Sequence, residues 1–414
     1  MLTYFSCVAR NTSLRYNLVL EDITSFMSNS FELLRGHVTP AGTRKYVESA
    51  VKDKGKPASH FRVFDELYLS SLGIGTYLGE LTQQDDRLME DAVYNSIKSG
   101  SVNVVDTAIN YRAMKSEKSI GRALLRLVRD KIVSRDQVFI STKNGYITND
   151  GDYPGVDVME YLQRMFISNG VIRAEDISSS YNVLNPNYLK RCIDKSLANM
   201  HLTTLDLVYI HNAYESWFED ISREEFLQRL SKVFEAYEEY RTASKIRYYG
   251  MATWTCFRVP PGNKEYLLLE DVTKIAEKVG GPQKHGFRFI QLPYNLAYSE
   301  ALLLRNQSVG EENNLTILEA AQKLGIGIFT SIPLFQGKLL KAQIPDYGGL
   351  TDQVSKLLQI VRSSPSVIAP LIGQKNSKHV EQNLMISNNP PLNTKDFNEA
   401  IEILLKGNPQ LDKG

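Results

Sequence analysis

Cysteine is scarce in this chain. Only Cys7, Cys192 and Cys256 occur in 414 residues, and they lie far apart. The odd count argues against a disulfide framework, and no two are spaced as a metal-type pair. A reducing compartment is the expected setting, with the cytoplasm as the expected location. Net charge is scarce too. The 48 Lys plus Arg nearly balance the 47 Asp plus Glu, leaving +1. That balance gives no electrostatic footprint for nucleic acid or for an anionic membrane. No apolar run approaches the roughly 20 residues of a membrane-spanning helix. The six histidines (His37, His60, His201, His211, His285 and His379) lack ligand-like spacing, so no metal site is expected. Acids are missing from the first twenty positions, which carry Arg10 and Arg15 ahead of Glu21. An organellar presequence therefore stands as an alternative to an N-terminal extension that stays on the protein.

What is present suits a globular protein with a large core: 43% hydrophobic and 23% charged residues. Residues 1–61 show mixed helical patterning and read as an extension packed against the outside of the main domain. From about Glu66 short β-rich runs alternate with longer amphipathic stretches, the mark of βα units. The runs are Leu67–Gly75, Val102–Asp106, Val138–Lys143, Leu205–His211, Ile246–Ala252, Phe287–Pro293, Gly327–Pro333 and Val367–Gly373. Eight strands with following helices predict a closed parallel (β/α)₈ TIM barrel over residues 62–390. Residues 391–414 read as a C-terminal helix and tail. The stretch from Lys143 to His211 is too long for one helix and one strand. Residues 145–185 are rich in Gly, Asn, Ser and Asp, and read as a long loop inserted after the third strand. A second insertion lies around Ser299–Asn314.

Polar residues interrupt the strands at their ends. Asp106 ends Val-Val-Asp, Lys143 ends Ser-Thr-Lys, His211 ends Val-Tyr-Ile-His, and Gln291 comes late in Phe-Ile-Gln-Leu-Pro. Each has a plainer reading alone. Asp106 could cap a helix, Lys143 snorkel at a strand end, His211 sit satisfied in the core, and Gln291 bond a neighbouring strand. In a parallel barrel, however, these ends converge on one face, where active sites form. The glycine-rich Gly73-Ile-Gly75-Thr-Tyr-Leu-Gly79 has the wrong spacing for a dinucleotide-binding turn, which disfavours a Rossmann dehydrogenase.

The segment Asp106-Thr-Ala-Ile-Asn-Tyr111, followed by Glu117-Lys-Ser-Ile-Gly121, closely resembles the first signature of the aldo-keto reductase superfamily. Lys143 and His211 fit the other two catalytic positions, and the resemblance runs over residues 62–385. It implies an NAD(P)H-dependent oxidoreductase that reduces aldehydes or ketones to alcohols. The residue types suit that chemistry. A developing alkoxide needs a proton and a positive field. A phenol, with a reference pKa of about 10, is a poor acid near neutrality. A lysine cation nearby favours the phenolate and lowers that pKa. Tyr111 is thus expected as general acid, Lys143 as the partner that lowers its pKa, Asp106 as the anchor of that lysine, and His211 as carbonyl polariser.

The same resemblance implies the cofactor site. Gln291 matches the position that bonds the nicotinamide carboxamide, and Gly75, Thr76 and Asp106 line the mouth. Pro333, Leu334, Gly337 and Lys338 come after the seventh strand, as a loop over the pyrophosphate. Gly373, Gln374, Lys375, His379, Gln382 and Asn383 come after the eighth, where a helix N-terminus offers free amides. Lys375, Lys378 and His379 are candidates for a 2′-phosphate. NADP is the expected cofactor, with NAD as the other candidate. Departures from the family pattern are Ala252 where a serine is usual, Thr330 in place of a stacking aromatic, and Gly373 and His379 in place of basic residues. Tyr77, Trp254 and parts of the 145–185 loop are expected to wall a pocket for an apolar or aromatic carbonyl. A second reading is a nicotinamide-binding regulatory or scaffold subunit, resembling potassium-channel β-subunits. The oligomeric state is not legible.

Overall fold

The computed structural model describes residues 33–407. Cys7, the basic segment considered as a presequence, and the tail after 407 lie outside the described residues. One compact unit begins at Arg35 and takes in the rest of the described chain.

Helix α1 (Pro40–Lys54) starts at Thr39, whose side chain accepts from Gly42 N, and stops at Gly55 in a left-handed conformation. Its Tyr46 hydroxyl donates to the buried carbonyl of Val102 (2.7 Å). The hairpin β1 (Phe61–Phe64) and β2 (Leu67–Ser70) comes next. Then come eight parallel strands in a closed ring: β3 (Gly73–Gly75), β4 (Val104–Asp106), β5 (Phe139–Asn144), β6 (Leu205–His211), β7 (Ile246–Ala252), β8 (Phe287–Pro293), β11 (Gly327–Ser331) and β12 (Val367–Gly373), which pairs back to β3. A small hairpin, β9 (Gln307–Val309) with β10 (Glu312–Leu315), occupies the second insertion. The closed ring leaves no place for a Rossmann sheet.

One expected strand divides. Leu67–Gly75 is not a single barrel strand, because the chain leaves the hairpin at Ser70 and enters the ring only at Gly73. Leu67 and Leu69 of β2 join Phe64 and Val38 in one core cluster with Phe139, Phe289 and Phe329 from inside the ring. The hairpin therefore closes the end of the barrel opposite the C-terminal strand ends. Three phenylalanine rings from non-adjacent and adjacent strands meet there at 5.5–5.8 Å (Phe139–Phe289, Phe289–Phe329, Phe139–Phe329). Their burial is a large hydrophobic contribution with defined ring geometry.

The outer layer keeps the expected rhythm. Helix α2 (Gln83–Lys98) has Thr82 as N-cap and acids Asp85 and Asp86 in its first turn, which suits the helix dipole. The 145–185 insertion contains a short helix, α4 (Val158–Leu162), and a π-helical turn at Gln163–Ile167. Helix α3 (Lys115–Arg129) packs on α5 (Pro186–Met200). Helices α6 (Ala213–Trp217), α7 (Arg223–Thr242), α8 (Leu269–Gly280), α9 (Glu300–Leu303) and α10 (Ile317–Lys323) continue the layer between β6 and β11. Helices α11 (Gln353–Ser363), α12 (Ser377–Leu384) and α13 (Thr394–Gly407) complete the C-terminal part.

Gly121 fixes the α3–α5 contact. A Cβ there would lie 2.8 Å from Asn199 O and 2.9 Å from Met200 Cα, both backbone atoms that cannot turn aside. Gly121→Ala is expected to destabilise the fold by about 1–3 kcal/mol, as overpacking does. A lowered urea midpoint with an unchanged slope would show it, and an unchanged midpoint would contradict it.

Candidate active site

Side chains alternate inward and outward along each strand. Phe139, Tyr209, Phe289 and Phe329 belong to the barrel interior. Two residues beyond them, or four beyond Phe139, the inward positions turn polar: Lys143, His211, Gln291 and Ser331. Asp106 takes the corresponding place two residues after Val104. The fold thus brings Asp106, Lys143, His211 and Gln291 together over the packed floor, each on strand backbone.

Asp106 is the hub. Its Oδ2 accepts from Lys143 Nζ at 2.5 Å, and its Oδ1 accepts from Ser141 Oγ (2.7 Å) and Gln291 Nε2 (3.1 Å). Lys143 also donates to Thr107 O (2.8 Å). The pair is sealed, with side chains 1% and 5% exposed. Tyr111 comes after β4 on a turn and is half-buried. Lys143 Nζ lies 4.8 Å from its ring centroid. The His211 ring meets Tyr111 edge-on at 5.9 Å and Tyr146 at 5.1 Å. Its Nδ1 is buried with no hydrogen-bond partner.

The charges set one another. Burial opposes the charge on Lys143, but the Asp106 carboxylate and the Tyr111 phenol together outweigh it and hold the ammonium above its usual pKa. Burial, helped by the Lys143 charge, holds His211 well below the usual imidazole value, so it is neutral near pH 7. Tyr111 corrects an expectation. Burial pushes the phenol above its ordinary value, and the pull of Lys143 only partly offsets that. Proximity to a lysine was legible in the sequence, whereas the depth of the site was not.

Thr330 also needs correction. It is fully buried, one residue past the inward Phe329, and so belongs to the outward face of β11. Ser331 is the residue that reaches the mouth. Ile332 next to it has φ +47, a left-handed conformation unusual for a branched side chain.

Elsewhere on the rim the residues divide into two kinds. Thr76 is buried and donates to Asp106 O (3.1 Å). Gln374 and Asn383 are also buried. Asn383 donates to Gln374 (2.9 Å), which donates to Ser96 on α2 (3.1 Å), so they shape the β12–α12 turn. Lys375 is drawn to Asp85 at 2.5 Å. Lys378, His379, Gln382 and Lys338 are exposed, while Pro333 is buried and Leu334 and Gly337 partly so. Sequence reasoning missed Ser141, which shares the inward face with Lys143 by the two-residue period. It also missed Tyr146 and Asn182 of the insertion. Asn182 donates to the His211 carbonyl (3.0 Å).

A dinucleotide fits this rim. Gly75 and Gly373 pair in register, and a Cβ on Gly373 would meet nothing within 4 Å. A Cβ on Gly75 would meet Leu371 only at ordinary contact distance, 3.6–3.7 Å. The N-terminus of α12, with exposed Lys378 and His379 in its first turn, suits phosphate groups. Tyr77 stands at the same rim, 58% exposed, with its ring 5.0 Å from Tyr111. Trp254, 42% exposed, is held by its backbone: its N–H donates to Glu215 (2.7 Å) and its carbonyl accepts from Arg258.

Known proteins agree with this picture. The model of the Aldo/keto reductase family matches residues 71–360, more than half of the chain. The holo form of an aldo-keto reductase from Bacillus halodurans superposes with a TM-score of 0.54 at 17% identity, over 83% of this chain and 96% of that one. An aldo/keto reductase from Klebsiella pneumoniae, solved in complex with NADP and acetate, superposes with a TM-score of 0.53 at 17% identity, over 84% and 95%. No curated protein matches the chain. Among the described residues no helix is long and apolar enough to cross a membrane. A family match of this extent, on a closed eight-stranded barrel with this polar layer, means that the chain belongs to the aldo/keto reductase family and, with it, to the nicotinamide-dependent oxidoreductases.

Proposed function

We propose that the protein reduces aldehydes or ketones to alcohols with NADPH as the reductant and Tyr111 as proton donor. The observation that carries this reading is the sealed Asp106–Lys143 pair beneath the Tyr111 hydroxyl. When bound, a reduced nicotinamide supplies the hydride. The chain's own residues handle the proton. Tyr111 gives its phenolic proton to the carbonyl oxygen. Lys143 stabilises the phenolate left behind, and Asp106 keeps that lysine charged and in place. Neutral His211 can donate one N–H to the substrate oxygen and orient it. Burial keeps Tyr111 protonated until a basic oxygen arrives, which suits a donor in the direction of reduction.

Gly75, Gly373 and the α12 N-terminus are the proposed cradle for the dinucleotide, with Lys338 and the Pro333–Gly337 segment over its phosphates. Gln291, although bonded to Asp106, keeps its carboxamide at the mouth for the nicotinamide. NADPH is favoured by the NADP-bound Klebsiella pneumoniae relative and by exposed Lys378 and His379. Tyr77 and Trp254 favour an aromatic or otherwise apolar carbonyl. The complete proton-donating group favours an enzyme over a purely regulatory subunit.

Tyr111→Phe is expected to lower kcat with NADPH and a reactive aldehyde by about 10²–10⁴-fold, the usual range for a general acid. Cofactor binding should persist, and retained turnover would remove this mechanism. The pH profile offers a second check. His211 must be neutral and Tyr111 protonated. The His211 value is depressed below 6.5 and the Tyr111 value raised above 10.0. kcat/KM should therefore show no acid break near 6.5, and its alkaline break should have its midpoint above 10.0; a break near 6.5 would contradict the His211 role. Finally, Lys378→Ala should weaken NADPH binding in a fluorescence titration and leave NADH unchanged; equal effects on both would argue against 2′-phosphate contact.

A further inference from the structure

Tyr111 is followed by Arg112, whose side chain is 2% exposed. Its Nε donates to Glu80 O (2.9 Å), and its Nη2 donates to Thr82 O (3.4 Å) and to the Asp86 carboxylate (2.5 Å). The two carbonyls belong to the rim segment that also carries Tyr77. Asp86 sits in the first turn of α2. One guanidinium thus ties the residue after the proton donor to the β3–α2 connection.

The backbone explains why a tie is needed. Arg112, Ala113 and Met114 have φ values of +51, +48 and +69. Three successive left-handed residues with side chains are strained, because the Cβ crowds the following carbonyl. Such a run persists only where its surroundings over-determine it. Arg112 supplies one side of that constraint, and the 145–185 insertion supplies the other. Gly151 N donates to Ala113 O at 2.8 Å. Lys115 Nζ bridges Asp86 and Asp152, at 3.0 Å each. Lys118 bridges Asp150 and Asp152. Opposite charges alternate from Arg112 through Asp86 and Lys115 to Asp152. The inserted loop and the rim therefore grip the same turn from two sides.

We infer that Arg112, paired with Asp86, is a positioning residue for Tyr111, and that the Asp150-Gly151-Asp152 segment of the insertion braces the same turn. This rests on the reading of Tyr111 as proton donor. The phenol hangs from one end of the strained turn, above Lys143. A relaxed turn would carry it away from Lys143 and from the carbonyl oxygen. Proton transfer needs hydrogen-bond reach, so a small displacement lowers rate rather than binding. The insertion acquires a role that its composition does not reveal: it holds the acid in place.

The test uses the full-length enzyme with NADPH and a reactive aromatic aldehyde. Arg112→Gln, Arg112→Lys, Asp86→Asn, the double variant of Arg112→Gln with Asp86→Asn, and Gly151→Ala are compared. The last places a methyl 3.1 Å from Ala113 O and from Lys115 Cδ, and so presses on the turn without removing a charge. For Arg112→Gln and Asp86→Asn, kcat should fall by about ten- to a hundredfold. Carbonyl KM and NADPH Kd should stay close to those of the unaltered enzyme. The solvent deuterium isotope effect on kcat should grow, because proton delivery becomes slower. Arg112→Lys should recover part of the rate, since it keeps a cation opposite Asp86 but not the fork to the two carbonyls. The double variant should be no worse than the poorer single one, as expected of one coupled unit. Gly151→Ala should lower kcat several-fold and raise the same isotope effect. If Tm falls while kcat per folded molecule and the isotope effect do not change, the role is structural and the inference is overturned. Parallel losses in kcat, KM and NADPH Kd would overturn it too. Should Arg112→Gln fail to fold, Gly151→Ala decides alone. Tyr111→Phe, assayed beside them, separates the two claims. If that variant keeps its turnover, the proton-donor reading fails, and this inference with it. If it is dead while Arg112→Gln and Gly151→Ala are unimpaired, only this inference fails.

Discussion

The buried pair between Lys143 and Asp106 is the constraint on which the mouth of the barrel depends. An ammonium sealed above a phenylalanine floor is tolerable only with a carboxylate against it. Removing either partner alone would strand a charge at a cost of about 3–5 kcal/mol. The carboxylate in turn gives its remaining oxygen to Ser141 and Gln291, from two other parts of the ring. Fixing one ion pair therefore fixes the ends of β4, β5 and β8 relative to one another. The same positive charge acts on Tyr111 and His211. On the proposed reading it would stabilise the phenolate that forms when Tyr111 gives up its proton, and it adds to the burial that keeps the imidazole neutral. The proposed chemistry and the barrel architecture share one interaction here.

That shared interaction explains why so much of the polar group was legible. Lys143, His211 and Gln291 end or nearly end runs whose two-residue period places them inward, and strand ends in a parallel barrel have one destination. β6, β7, β8 and β12 have the bounds the apolar runs suggest. The first run misled because hydrophobicity does not distinguish a strand that lines a ring from one that plugs it. Leu67 and Leu69 are as apolar as any barrel residue, and only their antiparallel pairing with β1 sets them apart.

The less legible part is electrostatic and conformational. Whether a lysine lowers a neighbouring phenol depends on how deeply both are buried, a property of the assembled ring. The Thr330 assignment failed by one position, and one position reverses the face of a strand. Arg112 gave no sign of importance, since nothing local marks a run of three left-handed residues without glycine. The acids that grip its turn lie on α2 and in the insertion, at 86 and at 150–152, and meet only when the chain is folded.

The hairpin under the barrel sets the traffic of the site. A ring open at both ends could admit one molecule and release another through opposite doors. This one is a cup, with Leu67, Leu69 and Phe64 packed into its base. Whatever arrives at Tyr111 must depart by the rim it entered, past Tyr77 and Trp254. The order of arrivals and departures is therefore set at the lip, by the loops there, and a change of guest calls for a change of lip and not of base.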